Sequence, residues 1–369
     1  MEKRFKIMHV AECVGGVDRF LRNLLKYTDH SKVNNIMILS QLYDKKIYED
    51  LADKVEIIDM QHSMGFSAFK TSLQLRKKIK EYKPDIVFGH SSIAGAITRL
   101  ACIGLTCKVI YNPHGWSFNM ESDRRKLFLF LEKIMSLFCD KIVCISDAEK
   151  KSALENNLCN EDKLVTIYNG IDLSIWPKEI SLNLSEDSFV VGMVGRICKQ
   201  KAPDVFVKMA SMVKREVADS VFIIVGDVLE GKESERREIE ELAIREGIDL
   251  IITGWVDNPL SYVTKFDVGC LLSRWEGFGL VIPEYMFCEK PIVATNVDAI
   301  PYLIEDGVNG LLVDKDDWEE AAFSVIELYR NNCLRDTLIR NGKKTVKQFF
   351  DARRVAKEYE NLYQSLLKS

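Results

Sequence analysis

Short runs of β-branched and apolar residues alternate with helix-period stretches along nearly the whole of this 369-residue chain. In the first half the strand candidates are residues 6–10, 35–39, 55–58, 85–89, 108–111, 141–145 and 164–167. Stretches with helical periodicity lie between them, for example residues 18–27, 68–81 and 124–138. Because repeated strand–helix alternation produces parallel sheets with helices on their faces, the pattern predicts an α/β protein.

The alternation stops over residues 169–188, which carry Gly170, Pro177 and several serines and asparagines without a clear period. It restarts with strand candidates at residues 189–194, 221–225, 250–252, 268–272, 292–294 and 310–313. A chain of this length usually forms two cores, so we expect two doubly wound, Rossmann-like domains that face each other across a cleft. Their expected bounds are residues 1–175 and 176–350. Residues 351–369 are expected to form a final helix with no strand after it.

Composition restricts the class of protein. Hydrophobic residues make up 47% of the chain and charged residues 29%, which is typical of a soluble globular protein. No apolar run approaches the ~20 residues that span a bilayer, and no secretory signal is recognisable, so we expect a cytoplasmic protein without its own anchor. The ten cysteines include no C-x-x-C pair, which favours free thiols over disulfides or structural zinc.

Charge is unevenly divided, although the net charge is only −4. Residues 1–175 hold 26 Lys and Arg against 22 Asp and Glu, so the acidic excess lies in the second half. The basic residues include clusters at positions 76–83 and 124–126, which form either solvated helix faces or a surface that contacts anionic lipid. Nucleic acid is not expected as a partner, because the chain is acidic and lacks a basic stripe with interleaved aromatic residues.

The most specific motif is SRWEGFGLVIPE at residues 273–284, directly after a strand candidate. Gly277 and Gly279 allow backbone N–H groups to approach a ligand closely, and a helix beginning near residue 282 adds a partial positive charge. Glu276 and Glu284 can each accept two hydroxyl hydrogen bonds, which is how carboxylates bind a sugar or a ribose. Glu284 can instead be a first-turn glutamate behind a helix-starting proline, but that alternative does not explain Glu276.

Two further motifs carry residues suited to phosphate. In GRICKQK at residues 195–201, Arg196 on the loop and Lys201 on the first turn of the next helix can together hold a diphosphate. Two solvated cations beside a turn are the alternative. Gly15 and Gly16 resemble a phosphate-binding turn but lack the G-x-G-x-x-G spacing, which argues against an NAD enzyme and leaves a bare strand-to-helix turn as the other interpretation.

Histidine and aspartate residues supply weaker candidates. His114, in NPHGW after a strand candidate, is placed to reach into the cleft, with a structural histidine as the alternative. The other histidines, His9, His30, His62 and His90, have less support, although His90 also follows a strand and can border an acceptor. Asp314-Lys315-Asp316 spells a D-x-D metal motif, but it precedes a helix near residue 317, so helix capping explains it better and no catalytic metal is expected.

Together these motifs resemble the retaining family 4 glycosyltransferases, which have the GT-B fold of two facing Rossmann-like domains. The resemblance covers nearly the whole chain and is most specific at the paired glutamates. Residues 168–172 look like the segment that closes the family's N-terminal domain, and residues 225–227 and 253–256 look like its nucleotide-side loops. Two positions depart from the family pattern: Ala202 stands where the family usually has glycine, and Asp18 where it has glutamate.

The resemblance also implies roles for domains and residues. Residues 1–175 would bind the acceptor, residues 176–350 would bind the nucleotide sugar, and the final helix would cross back to the first domain. Arg196 and Lys201 would bind the donor diphosphate, Glu284 the ribose and Glu276 the transferred sugar, while His114 would contact the donor sugar or the reacting centre. The other donor-binding positions are Gly15 and Gly16 near the diphosphate, Trp255 and Val256 at the base, and Gly277, Phe278, Gly279 and Leu280 at the sugar.

The activity implied by the resemblance is synthesis of a bacterial capsule, O-antigen or exopolysaccharide. The donor would be a UDP-sugar, the acceptor a polyprenyl-diphosphate-linked glycan, and no cofactor or metal ion would be needed. Same-face attack is the expected mechanism, because no carboxylate is placed as a nucleophile and cations can stabilise the departing diphosphate. The alternatives are a transferase acting on a soluble sugar or sugar phosphate, a nucleotide-sugar epimerase, and a non-catalytic sugar-binding protein. A non-catalytic protein would usually have lost one of the four charged motif residues, and this chain keeps all of them: Arg196, Lys201, Glu276 and Glu284.

Overall fold

A computed structural model describes residues 4–60, 66–119, 123–174, 176–178, 180–185 and 187–368. Contacts divide the chain into two compact units. Unit 1 comprises Met1–Asp172 together with Asp351–Ser369, and unit 2 comprises Leu173–Phe350. The chain therefore passes from unit 1 to unit 2 after Asp172. The boundary predicted from the sequence is residue 175. That residue and His62 lie outside the described residues.

Unit 1 is built on a parallel sheet with the strand order β3-β2-β1-β4-β5-β6-β7. Its strands are β1 (Phe5–Ala11), β2 (Val33–Leu39), β3 (Lys54–Ile57), β4 (Ile86–His90), β5 (Lys108–Asn112), β6 (Lys141–Cys144) and β7 (Leu164–Thr166). The helices between them are α1 (Gly16–Tyr27), α2 (Lys45–Glu49), α3 (Phe66–Tyr82), α4 (Ser92–Cys102), α5 (Arg125–Met135) and α6 (Asp147–Glu155). Apolar clusters cover both faces of this sheet, as parallel sheets require.

Unit 2 repeats this architecture with the strand order β10-β9-β8-β11-β12-β13, again parallel throughout. The strands are β8 (Phe189–Val194), β9 (Ser220–Val225), β10 (Leu250–Ile252), β11 (Val268–Leu271), β12 (Ile292–Thr295) and β13 (Leu311–Val313). The helices are α7 (Pro203–Glu216), α8 (Glu233–Glu246), α9 (Pro259–Val263), α10 (Val281–Phe287), α11 (Trp318–Arg330) and α12 (Asn332–Phe349). The prediction of two doubly wound parallel-sheet domains is confirmed.

The last helix, α13 (Ala352–Lys368), belongs to unit 1 and packs against α1. The chain returns at a short bridge between Ile171 and Asp351, where Ala352 N donates to Ile171 O at 3.0 Å. Gly170 allows this close approach, because a Cβ there would lie 2.8 Å from Val355 Cγ2. The apolar side of α13 buries Tyr359 and Tyr363 in the same cluster as β1 and β4. The helix thereby covers one face of the first sheet.

Two expectations from composition can be compared directly with this fold. In the part of the chain that the structure describes, no helix has the length and apolarity needed to cross a bilayer. All ten cysteines are free thiols, as the absence of paired spacing predicts.

Candidate functional site

In unit 2 the loops that follow β8 and β9 are joined at the carboxyl edge of the sheet. Gly195 N donates to Val225 O, and Ile197 N donates to Asp227 O, each at 3.0 Å. A Cβ on Gly226 would lie only 2.1 Å from Gly195 O, so only glycine permits this approach. The loop that carries Arg196 is therefore fixed by backbone contacts, while the Arg196 side chain itself is exposed.

Lys201 lies on a single 3₁₀ turn, Lys199–Lys201, that precedes α7. Its expected position on the first turn of the helix is therefore wrong, because α7 begins only at Pro203. Between them Ala202 adopts the left-handed conformation with φ 51° and ψ 51°, which suits glycine better. Alanine adopts this bend at a conformational cost of about 1–2 kcal/mol.

The Lys201 ammonium contacts Glu276 directly, and this ion pair is the centre of the unit 2 site. β8 and β11 are neighbours in the sheet, so the loops after them bring residues 75 positions apart into contact. Ser273 Oγ donates to the same Glu276 oxygen at 3.0 Å, and Glu276 N donates to Asp298 Oδ2 at 2.9 Å. Only 7% of the Glu276 side chain is exposed, so the carboxylate is held in one position at the end of β11.

Arg274, to which the sequence assigned no role, organises both loops of this site. Its guanidinium donates to Asp204 on α7 at 2.6 and 3.1 Å, to Asp316 at 2.7 Å and to the Lys199 carbonyl at 2.9 Å. Its backbone N–H donates to Gln200 O at 2.8 Å. Arg274 therefore ties the loop bearing Glu276 to the turn bearing Lys201. The only sign of this positioning role in the sequence is that Arg274 lies in the same motif, two residues before Glu276.

The D-x-D residues are placed differently from the capping role expected of them. Asp317 caps α11, because its Oδ1 accepts from Glu320 N at 2.8 Å. Asp316 instead pairs with Arg274, so the capping explanation is wrong for that residue. Within the described residues, no group of three or more His, Cys, Asp or Glu side chains is arranged as a metal site.

The second glutamate of the motif lies on α10. Glu284 is in the first turn of this helix and is 1% exposed. Gly279 precedes the helix with φ 83°, a left-handed conformation that favours glycine, and its carbonyl accepts from Ile282 N at 2.9 Å. Phe278 is buried and packs edge-on against Phe350. Gly277 and Leu280 lie half-buried on the same loop, between Glu276 and the start of α10.

The loop after β10 carries the residues expected at the nucleotide base. Trp255 is 60% exposed, and its indole Nε1 donates to Val228 O at 3.2 Å on the loop after β9. Val256 is half-buried beside it. The exposed indole and the exposed Arg196 therefore lie on loops either side of the loop that follows β9, at the carboxyl edge of the sheet, where doubly wound folds bind ligands.

In unit 1 the expected glycine turn lies at the start of α1. Gly15 precedes the helix with φ 89° and ψ −120°, and a Cβ there would meet nothing within 4 Å. Glycine is therefore required by conformation rather than by space, and Gly16 begins the helix. Glu12, three positions before Gly15, accepts from Ser91 Oγ at 2.8 Å, and burial raises the pKa of its carboxyl.

His114 follows β5 in a left-handed conformation with φ 51°. Its backbone N–H donates to Asn112 Oδ1 at 2.8 Å, which stabilises this turn. Its Nε2 lies 3.1 Å from His90 Nδ1, and His90 Nε2 lies 3.1 Å from His9 Nδ1. Burial lowers the pKa of His114 to about 3 and that of His9 to about 4, so both rings are neutral at pH 7. Sequence alone gave His9 and His90 less support and did not link the three rings.

Comparison with known proteins gives a consistent assignment. The family model Glycosyltransferase Family 4 matches residues 14–175, and Glycosyl transferases group 1 matches residues 174–345. The O-antigen biosynthesis glycosyltransferase WbnH of Escherichia coli is 30% identical, over 77% of this chain and 79% of the relative. The UDP-Gal:alpha-D-GlcNAc-diphosphoundecaprenol alpha-1,3-galactosyltransferase of Escherichia coli is 28% identical, over 78% and 77%.

A solved structure has the same fold. Alr3699/HepE of Anabaena, crystallised with UDP and glucose, superposes with a TM-score of 0.85 at 19% identity and covers 98% of this chain and 100% of its own. The chain therefore belongs to glycosyltransferase family 4 and has the GT-B fold of two Rossmann-like units.

Proposed function

We propose that this protein transfers a sugar from a UDP-sugar to a glycan hydroxyl with retention of anomeric configuration and without a metal ion. The observation that carries the proposal is the buried pair of Lys201 and Glu276, fixed at the ends of β8 and β11. HepE, which shares the fold, was crystallised with UDP and glucose, and the galactosyltransferase relative uses a UDP-sugar by its name. Unit 2 would bind the donor and unit 1 the acceptor.

The residues of unit 2 suit each part of such a donor. Arg196 and Lys201 place two cations for a diphosphate, and arginine can bind it through its planar fork. Glu284 would accept the ribose hydroxyls and Glu276 the hydroxyls of the transferred sugar. The exposed Trp255 and its neighbour Val256 would meet the base. The backbone of Gly277, Phe278, Gly279 and Leu280 would line the sugar, while Gly15, Gly16 and His114 of unit 1 would contact the substrates.

The proposed mechanism depends on leaving-group stabilisation. Cleavage of the bond to the anomeric carbon builds negative charge on the diphosphate, and preorganised cations lower that barrier. Glu276 is already bound by Lys201 and Ser273, so it is better suited to hold a hydroxyl than to attack carbon. The acceptor hydroxyl would attack from the leaving-group face and pass its proton to the departing phosphate oxygen.

A donor screen tests this function. Purified protein would be incubated with a panel of nucleotide sugars, and the released nucleoside diphosphate would be measured with and without EDTA. We expect slow release from one UDP-sugar, unchanged by EDTA, and faster release when a polyprenyl-diphosphate-linked glycan is added. Acceleration by a free sugar phosphate instead would favour a soluble acceptor, and a change of the donor sugar without acceptor would indicate an epimerase. A well-folded protein that consumes no donor would contradict the proposal.

The role of Arg274 gives a second prediction. Arg274→Lys keeps the charge but cannot reproduce the forked contact with Asp204, so Lys201 and Glu276 should lose their mutual position. We expect kcat to fall by about tenfold to a hundredfold, since small displacements of catalytic groups have effects of that size. The matched control is Arg330→Lys, in an exposed pair with Glu216, which should leave kcat unchanged. Equal rates for both variants would show that Arg274 does not position the site.

A peripheral contact with anionic membrane is also proposed, because α5 in unit 1 exposes its apolar side. Leu127, Phe130, Leu131 and Ile134 form this α5 apolar face and are 40–58% exposed. The same helix is anchored by its polar side, where Glu132 pairs with the buried Arg99 at 2.9 Å. Basic residues 124–126 stand at its start. A lipid-linked acceptor would place such a face against the bilayer.

Liposome binding tests this membrane contact. Replacing Leu127, Phe130 and Leu131 by serine should weaken binding to anionic vesicles at least about tenfold, because each side chain loses apolar burial worth about 1.5 kcal/mol or more. Phe323→Ser serves as the control, since Phe323 is 62% exposed on α11 of unit 2. Binding that is unchanged in the triple variant, or lost equally in the control, would refute the α5 apolar face as the membrane contact.

A further inference from the structure

Two thiols of unit 1 lie in contact at the edge of the sheet where β4 and β5 begin. Cys102 is the last residue of α4, Cys107 directly precedes β5, and their Sγ atoms are 3.9 Å apart. We name this pair the α4–β5 dithiol. It lies at the opposite edge of the sheet from His90 and His114, so the candidate transferase site does not include it.

A cavity reaches one of the two thiols. It has a volume of about 510 Å³, which is within the range of small-molecule sites, and Cys107 is part of its wall. Cys107 is half-buried, whereas Cys102 is only 5% exposed and belongs to the apolar core. A reagent that enters the cavity can therefore meet Cys107, but it cannot meet Cys102 directly.

The wall of this cavity is positively charged. Lys80, Lys83 and Lys108 line it, and Asp85 is the only acidic residue in the lining. The Asp85 carboxylate already accepts from Lys6 N at 2.7 Å. The side chains of Lys80 and Lys83 are exposed, so they add positive charge at the mouth of the cavity. Such a lining favours the entry of small anions over cations.

The segment between the two cysteines allows the sulfurs to come closer. A disulfide bond is ~2.05 Å long, so the Sγ atoms would have to approach by about 2 Å. Rotation about the two Cα–Cβ bonds moves the sulfurs by a similar amount. Gly104 has φ 71°, and a Cβ there would meet nothing within 4 Å, so the turn has room to adjust. The end of α4 stays fixed, because Arg76 donates to the Ala101 and Ile103 carbonyls, each at 2.7 Å.

We propose that the α4–β5 dithiol is a redox modification site that reacts with a small anionic disulfide, such as oxidised glutathione, and becomes an intramolecular disulfide. The Cys107 thiolate attacks one sulfur of the reagent, which forms a mixed disulfide and releases one glutathione thiolate. Cys102 then loses its proton and attacks the Cys107 sulfur, and the second glutathione leaves as a thiolate. The two cysteines thus lose two electrons and two protons, and the reagent gains them as two glutathione thiols.

The contact between the sulfurs assigns each cysteine its part in this reaction. The hydrogen bond with Cys102 lowers the pKa of the Cys107 thiol, and the thiolate is the attacking form. Cys102 is shielded from the reagent but lies next to the sulfur that it must attack. The product would tie the end of α4 to the start of β5. This inference does not depend on the proposed transferase activity.

Exposure of the native protein to oxidised glutathione tests the proposal. The reagent would be raised until Cys333, an exposed thiol with no thiol partner among the described residues, is fully modified. Free thiols would then be alkylated after unfolding and counted by mass spectrometry. We expect the site to lose two of the ten thiols, with a peptide cross-linked through Cys102 and Cys107 that dithiothreitol releases. Reduced Cys102 and Cys107 beside a modified Cys333 would overturn the proposal.

Variants test the order of the two steps. Cys102→Ser removes the second nucleophile, so glutathione should remain on Cys107 as a stable mixed disulfide. Cys107→Ser removes the accessible thiol, so position 102 should stay reduced. The control is Cys159→Ser, which removes another half-buried thiol of unit 1 and should leave the cross-link unchanged. Glutathione bound to Cys102 in Cys107→Ser, or its absence from Cys107 in Cys102→Ser, would contradict the proposed order.

The charge of the cavity gives a separate test of the reagent class. Lys80→Glu combined with Lys83→Glu should slow cross-linking by oxidised glutathione about threefold to tenfold at low salt. The same variant should react normally with 2-hydroxyethyl disulfide, which is neutral. Lys77→Glu is the matched control, because Lys77 is exposed on the same helix but does not line the cavity. Equal slowing with both reagents would overturn the preference for an anionic disulfide.

Discussion

Replacing Glu276 by glutamine should reduce kcat for sugar transfer by about 10²–10³, the effect typical of removing one preorganised polar contact in a transition state. The amide keeps the shape of the side chain but loses the charge that binds Lys201. Lys201 would then no longer be held at the end of β11, and the sugar hydroxyls would meet a weaker acceptor. Steady-state rates of nucleoside diphosphate release, measured with the acceptor present, would give the change in kcat and KM separately.

The matched control for this substitution is Glu216→Gln. Glu216 forms an exposed pair with Arg330 at 2.6 Å in the same unit, so the control makes the same chemical change away from the site. It should leave kcat and thermal stability nearly unchanged, because exposed pairs contribute about 0–1 kcal/mol. A Glu276→Gln enzyme with full activity would show that the pair of Lys201 and Glu276 is only structural, and it would remove the main support for the proposed mechanism.

The strands of both units were predictable from sequence because parallel strands are buried on both faces. β8 and β10 begin and end where the apolar runs do, and the other strands differ from the prediction by a residue or two at one or both ends. Glu276 and Lys201 were also identifiable, since each follows a strand within a glycine-bearing loop. Their contact was not, because it requires that β8 and β11 be neighbours, which depends on the strand order of the folded sheet.

Other parts of the site depend on contacts that local patterns cannot show. Arg274 reaches Asp204, 70 positions earlier in the chain, and His9 reaches His90, 81 positions later. The left-handed conformation of Ala202 contradicts the preference of alanine, and the residue is fully buried. In each case the residue is visible in the sequence, but its role depends on contacts with residues from other strands or helices.

The orientation of α5 is the clearest example of a contact that reverses a local expectation. An amphipathic helix normally turns its apolar side inward. In α5 Phe128 and Leu129 pack half-buried against the core, but the fully buried side chain is Glu132, which binds Arg99 at 2.9 Å and accepts from the Tyr111 hydroxyl at 2.9 Å. Arg99 also lies 3.8 Å above the Tyr111 ring and donates to Gly95 O at 3.0 Å. This buried polar network and the packing of Phe128 and Leu129 together hold the inward side of α5.

Glu132→Leu should therefore destabilise unit 1 by about 3–5 kcal/mol, because it leaves the Arg99 guanidinium buried without its counter-charge. Arg99 is 1% exposed, so water cannot replace the lost carboxylate. The double variant Arg99→Met with Glu132→Leu removes both charges and should recover most of the loss, since apolar replacements of a buried pair are often neutral or stabilising. Hydrogen exchange of unit 1 peptides in urea would measure these free energies without contribution from unit 2.

The comparison between single and double variants separates two explanations of the network. If the pair serves only to avoid an unpaired charge, the double variant should be as stable as the wild type and should still bind anionic vesicles through the α5 apolar face. If the pair also fixes the orientation of α5, the double variant should be stable but bind vesicles weakly, because the helix can then turn Leu127 and Phe130 inward. A single variant as stable as the wild type would contradict both, since it would mean that Arg99 needs no partner in the core.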